Sequence, residues 1–173
     1  MQAAVADVFV VRMNNSLSQV TYFTYSGGAI DESGSAIAVD PSGAVYVSGN
    51  TGFGVSGDAF LWKLDPVANR VAYKATLAAG GGSVPMVLDG AQVWVKVSAT
   101  GTGCSPTADA IQKTYGGGLT DVALFRINAA DGRVTYSTYL GVALNDFANS
   151  LTLDPCGNVV VYGNSSSPPC QHS

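Results

Sequence analysis

Few residues in this sequence are suited to chemistry, and those few are scattered. The only histidine is His172, one residue from the end of the 173-residue sequence, where a tail is usually disordered and makes a poor general base. With no other histidine, a Ser-His-Asp triad or a Cys-His pair cannot be assembled, and no GxSxG elbow occurs. Nor do histidines and cysteines cluster with the spacing of transition-metal ligands. What remains is acid–base work by paired carboxylates, as in glycosidases, with Asp31-Glu32 and Asn145-Asp146 as the candidate groups. Gly80-Gly-Gly82 and Gly116-Gly-Gly118 lack the Lys-Ser/Thr of a phosphate loop and follow no strand-to-helix pattern, so they read as flexible connections. Asp40-Pro-Ser-Gly43 and Asp154-Pro-Cys-Gly157 lack the alternating oxygen ligands of a calcium loop. They are turn sequences, in which Pro presets φ and Gly supplies a positive one. No catalytic residue, cofactor or metal is therefore expected, and the chain is read as a non-enzyme.

The elements that carry these residues form a repeat. Asp7 to Tyr25, DVFVVRMNNSLSQVTYFTY, returns as Asp58 to Leu77, DAFLWKLDPVANRVAYKATL, and again as Asp121 to Leu140, DVALFRINAADGRVTYSTYL, at offsets of 51 and 63. The fragment Ile37 to Gly49 returns as Leu151 to Gly163 at an offset of 114, the sum of the other two. Self-similarity at such periods marks solenoids, propellers and arrays. Each Asp-led copy reads as a hairpin of two short strands, with Arg12, Lys63 and Arg126 at one shared position where the charged head can stay in water. Ile37–Val39 with Val45–Val47 reads as a second kind of hairpin, and Met86–Asp89 with Gln92–Lys96 as its degraded middle copy. Ser98 to Thr120 is the longest connection, and loops of that length are often functional.

Composition narrows the classes. The sequence is 47% hydrophobic and only 12% charged, with 21 glycines, which suits a sheet protein and argues against disorder. A net charge of −4 with no basic run lacks the footprint of nucleic-acid binding. No apolar run reaches the length of a membrane helix, and MQAAVADVFVVRM reads as neither a span nor a signal peptide. Three cysteines, Cys104, Cys156 and Cys170, leave the redox compartment open.

Short strands in repeated hairpins imply an all-β propeller, whose radial repetition leaves only short protected edges. The expected module is a half-blade at 7–25, four-stranded antiparallel blades at 36–77 and 84–140, a half-blade at 150–163 and a tail at 164–173. That makes three blade equivalents with split half-blades at the two ends, fewer than the four to eight of typical propellers. The expected partner is therefore the chain itself, exchanging half-blades as a homodimer, or the missing blades of a longer parent.

Asp121-Val-Ala-Leu-Phe, Val134-Thr-Tyr-Ser-Thr-Tyr-Leu-Gly141, Asn145 to Asp154 and Gly157 to Gly163 resemble the bacterial β-propeller repeat called SBBP. So does Ser105 to Gln112 followed by Gly116-Gly-Gly. The resemblance covers nearly the whole chain and departs from the pattern at Ala78 to Asp89, where the acidic pair is missing. It implies a bacterial secreted or cell-surface protein, and no shared catalytic motif.

In such a propeller the connections at one face would form a rim carrying Phe53, Tyr115 and Phe147 beside Asp31, Glu32, Asn145 and Asp146. Aromatics among amides and carboxylates could stack on and hydrogen-bond a glycan or a peptide, or could pack the loops. Cys104 and Cys170 fall at matching places on that face and form the one disulfide pair worth considering. The function expected is a binding or structural scaffold. The alternatives are a carbohydrate-binding, lectin-like propeller and a hydrolase using rim carboxylates.

Overall fold

The computed structural model describes residues 6–52, 57–65, 70–101 and 103–168, and within them every regular element is a strand. In chain order these are β1 (Val8–Met13), β2 (Val20–Ser26), β3 (Glu32–Val39), β4 (Val45–Thr51), β5 (Asp58–Leu64) and β6 (Val71–Gly81). Then follow β7 (Met86–Asp89), β8 (Gln92–Ala99), β9 (Asp121–Asn128), β10 (Val134–Leu140), β11 (Asp146–Leu153) and β12 (Val159–Ser165). The protein is all-β, and every strand pairing is antiparallel.

Pairing follows the repeat. β3 to β6 make one four-stranded meander and β7 to β10 another, and the two are stitched at a corner by Gly80 opposite Ala99 and Gly81 opposite Ser98. β1 with β2 and β11 with β12 are separate two-stranded hairpins. Side chains alternate across each strand, and β5 shows why it reads DAFLWKL. Ala59 and Leu61 enter the core shared with the second meander, while Phe60, Trp62 and Leu64 enter a core shared with β1. A strand covered on both faces has no use for polar alternation.

Four layers result. Val8, Val10 and Tyr22 of the first hairpin pack on Val45, Val47, Phe60 and Trp62. The opposite face of that meander, through Tyr46, Ala59, Leu61 and Ala78, meets Val93, Val95, Val97, Phe125 and Ile127 of the second. The far face of the second meander, at Trp94 and Leu124, lies across a cleft from Val159 and Val161 of the last hairpin.

The strands outrun their sequence signal. β3 begins at Glu32 rather than Ile37 and β4 continues to Thr51 rather than stopping at Val47, because ladder bonds extend over the polar stretches ESGS and SGNT. The Asp-Pro turns are capped as read. Asp40 Oδ1 accepts from the Ser42 and Ala44 amides at 2.9 and 3.0 Å, and Asp154 Oδ1 from the Cys156 and Asn158 amides at 2.8 Å each. Gly43 and Gly157 close them at φ 86° and 82°, where only glycine is unstrained.

The long connection is an edge cover. Thr107 N donates to Ser137 O at 3.0 Å, Tyr139 N to Gln112 O at 3.1 Å, and Gly141 N to Gln112 Oε1 at 3.1 Å. Residues 105–112 thus occupy the outer edge of β10 and hide ladder groups that would otherwise invite another strand.

Candidate functional site

The acidic positions singled out by sequence are gathered at two equivalent corners. At the first, Asp7 and Glu32 crowd against Gly27, where an added Cβ would fall on the Asp7 carboxylate and 2.8 Å from Glu32 Oε2. At the second, 114 residues on, Asp121 presses on Gly141 in the same way, with its Oδ1 2.5 Å from where a Cβ would stand. Asp146 is there the counterpart of Glu32. Glycine is needed at 27 and 141 because a carboxylate fills the space a side chain would take.

Most of these acids are committed to backbone amides. Half-buried Asp31 accepts from Ala6 N at 2.6 Å, and Asn145 Oδ1 from Leu119 N at 2.6 Å. Buried Asp146 accepts from Val142 N at 2.7 Å through Oδ2, and Asp121 Oδ2 accepts from Gly116 N. Two oxygens are left over: Glu32 Oε2 and Asp121 Oδ1 are both buried without a hydrogen-bond partner. Asp121 is wholly shielded from solvent. Burial pushes its carboxyl above the ordinary carboxylate range and the nearby Asp146 charge adds to this, against the lowering effect of the Gly116 and Gly117 amides.

The middle junction differs, as its missing acids announce. Asp58 is exposed, residues 78–88 hold no acid, and β6 runs on to pair with β8 instead. Backbone ladder bonds replace the carboxylate corner there.

Of the predicted rim aromatics, Tyr115 is half-buried, donates its hydroxyl to Gly118 O at 3.3 Å and stacks edge-on to Tyr139 with centroids 5.7 Å apart. Phe147 is 40% exposed beside Asn145 and Asp146. Phe53 lies outside the described residues, as do Cys170 and His172. Cys104 is buried in the central core, where its amide donates to the Tyr139 hydroxyl at 3.1 Å. Burial pushes its thiol up to about 11, over the smaller lowering influence of Ser137. Its pairing with Cys170 thus also lies outside the described residues. Among those residues no group of three or more His, Cys, Asp or Glu could hold a metal ion, and no helix is long and apolar enough to cross a membrane.

A second arrangement escaped the sequence reading. In the first inner copy the repeated cation does not keep its head free in water. Lys63 donates to Ala129 O of the next meander at 2.9 Å and lies 5.1 Å from the Tyr46 ring centroid. The single Tyr46 hydroxyl proton is shared between the same carbonyl and Asp40 Oδ2, each 3.2 Å away. Burial and the Asp40 charge push the Tyr46 hydroxyl up to about 12. In the next copy Arg126 lies 5.6 Å from the Trp94 ring and 5.7 Å from that of Tyr136, but Trp94 Nε1 is buried without an acceptor. Trp94 and Tyr136 line a cleft of about 480 Å3 together with Val159 and Val161. The signal available in sequence was the aromatic opposite each cation: Tyr46 opposite Lys63 and Trp94 opposite Arg126.

Lys96 was also missed. It is 1% exposed and donates to Ser83 O and Ser98 Oγ at 3.1 Å each, and burial lowers its amine to about 8. Compared with known proteins, the chain matches no family model and no curated protein.

Proposed function

We propose that the chain is a non-catalytic β-propeller module of three blade equivalents, serving as a binding or structural scaffold and closing its ring by self-association. The blades are the two meanders, and the half-blades are the terminal hairpins. The SBBP resemblance supports a bacterial secreted or cell-surface setting.

One observation carries the reading: the same repeat position is buried inside the stack and exposed at its end. Phe60, Trp62 and Leu64 are 2, 4 and 2% exposed, whereas Phe9, Val11 and Met13, their counterparts one repeat earlier, are 59, 38 and 44% exposed. Burying each such side chain is worth about 1.5–3 kcal/mol. With about half of each already covered, three of them on one hairpin contribute about 2–4 kcal/mol toward the cost of association. The hairpin's inner face is already packed on the first meander, so it is the outer face that is left for a further layer.

Light scattering behind a sizing column tests the proposal. A mass near twice the 17.6 kDa of the chain is expected; a 17.6 kDa species at micromolar concentration would remove self-association from it. The carbohydrate-binding alternative rests on exposed Phe147 next to Asn145. It predicts glycan-array binding that Phe147→Ala abolishes.

A further inference from the structure

The geometry points to a defined joint between two copies of this chain: β12 of one lies antiparallel beside β1 of the other. Val161 then stands opposite Val11 of the second copy and Gly163 opposite its Phe9, so that β11, β12, β1 and β2 complete one four-stranded sheet. The inference rests on the self-association reading and goes beyond it by naming the strands, their register and the contacts.

The register comes from the inner sheets. In both meanders the second strand pairs with the third, β4 with β5 and β8 with β9. Val47 stands opposite Trp62 and Gly49 opposite Phe60. The repeat offsets turn Val47 and Gly49 into Val161 and Gly163, and Trp62 and Phe60 into Val11 and Phe9. Yet among the described residues β12 pairs only with β11 and β1 only with β2. Each end offers the half-sheet that the other lacks.

Side chains agree with this register. At Gly49 an added Cβ would strike the Ser33 carbonyl and lie 2.7 Å from the Phe60 ring, so glycine there makes room for an aromatic on the neighbouring strand. Gly163 meets the Phe147 carbonyl in the same way and is left exposed. Phe9, 59% exposed, is the ring at the corresponding place. On the other face, Ile37 and Val39 are 60 and 59% exposed, while their repeat counterparts Met86 and Leu88 are half-buried against the central core. Val160 and Tyr162, at 48 and 63% exposure, face the direction from which a second copy would bring its Ile37 and Val39.

An independent polar observation points the same way. Tyr46 and Lys63 both donate to Ala129 O in the turn of the following meander. Their counterparts Trp94 and Arg126 face the same direction, with Trp94 Nε1 buried and lacking an acceptor. The residue corresponding to Ala129 is Asn15, in a β1–β2 turn of equal length. Its carbonyl, supplied by a second copy, would stand toward Arg126 as Ala129 O stands toward Lys63. The two hairpins of one chain pack on opposite sides of the meanders, so β1 and β12 of the same copy do not meet.

The test is cysteine bridging in a background carrying Cys156→Ser and Cys170→Ser. Val161→Cys and Val11→Cys, made on separate chains, mixed and oxidised, should give a covalent pair at least ten times more abundant than Val161→Cys mixed with Met13→Cys, two residues out of register. With both cysteines on one chain, the oxidised product should run as a closed dimer. If the wild-type chain is monomeric at micromolar concentration, this inference and the self-association reading fall together. If it is dimeric but the matched pair bridges no better than the control, the register alone is overturned. Bridging of Val161→Cys to itself would mean a two-fold symmetric contact and would also overturn the joint. If either valine variant fails to fold, Val160→Cys with Arg12→Cys, both exposed and opposite in the same register, reads the same contact with the same two outcomes.

Discussion

Asp121 and Lys96 show what burial costs at single residues. A carboxyl raised above its ordinary value of 3.8 stabilises the fold only at low pH, and that contribution is lost as pH rises through the raised value. At neutral pH Asp121 is thus a liability, with Oδ1 unpartnered. Asp121→Asn keeps an oxygen for the Gly116 amide and removes the charge. It should raise stability at pH 7 by about 1 kcal/mol in urea unfolding, a gain that shrinks as the pH approaches 4. Lys96 runs the other way. Its amine is lowered from 10.5 to about 8, so charging it opposes folding below pH 8, and stability recovers as pH climbs from about 8 toward 10.5. Lys96→Met should be more stable than wild type by about 1 kcal/mol at pH 7, and the two unfolding midpoints should converge as the pH is raised toward 10. Both aspartate corners were visible in the sequence as recurring acids. The unpaired Glu32 and Asp121 oxygens were not, because these depend on how the chain folds back on them at Gly27–Gly28 and at Gly116 and Gly141.

Turns and edges govern the elements. Asp40 is pushed up by burial, but hydrogen bonds from Ser42, Ala44 and Tyr46 outweigh this and hold its carboxyl below the usual range. Such a group stabilises the fold above its ordinary value, and the contribution is lost as pH falls through the lowered one. Asp40→Ala, which strands the buried Ala44 amide, should cost about 1–2 kcal/mol at pH 7, with the deficit closing in acid. In the β1–β2 turn, Leu17 holds φ 54° while 71% exposed. Leu17→Gly should gain about 1 kcal/mol in thermal or urea unfolding. The strands and both Asp-Pro turns were legible because period-2 alternation and turn chemistry are local. The strap of residues 105–112 along β10 was not, since its bonds to Ser137 and Tyr139 join segments about thirty residues apart in sequence with no pattern to announce them.

At the scale of the molecule, the repeat offsets made the succession of hairpins readable from the sequence, including the two separate terminal pairs β1–β2 and β11–β12. The corner where β6 joins β8 was foreshadowed only by the absence of acids between Ala78 and Leu88. If the ends meet through Phe9 and Val11, then Val11→Asp places an unpaired charge in the joint and should shift the sizing profile toward monomer by at least ten-fold in dissociation constant. Because Val11 is 38% exposed within one chain, urea unfolding of the monomer should hardly change.

The proposed joint between β12 and β1 is head-to-tail, and a head-to-tail contact has no copy number written into it. It repeats until the rotation per copy closes a circle, or it grows into a fibre. That rotation is set by how far the layers fan apart, and the central core between them is lined with small side chains, among them Ala44, Ala59, Ala78, Ala99 and Ala123. Enlarging one of these would splay the layers while leaving both ends intact. The stoichiometry of the proposed assembly would in this sense be decided in its interior, by the girth of alanines far from any subunit boundary.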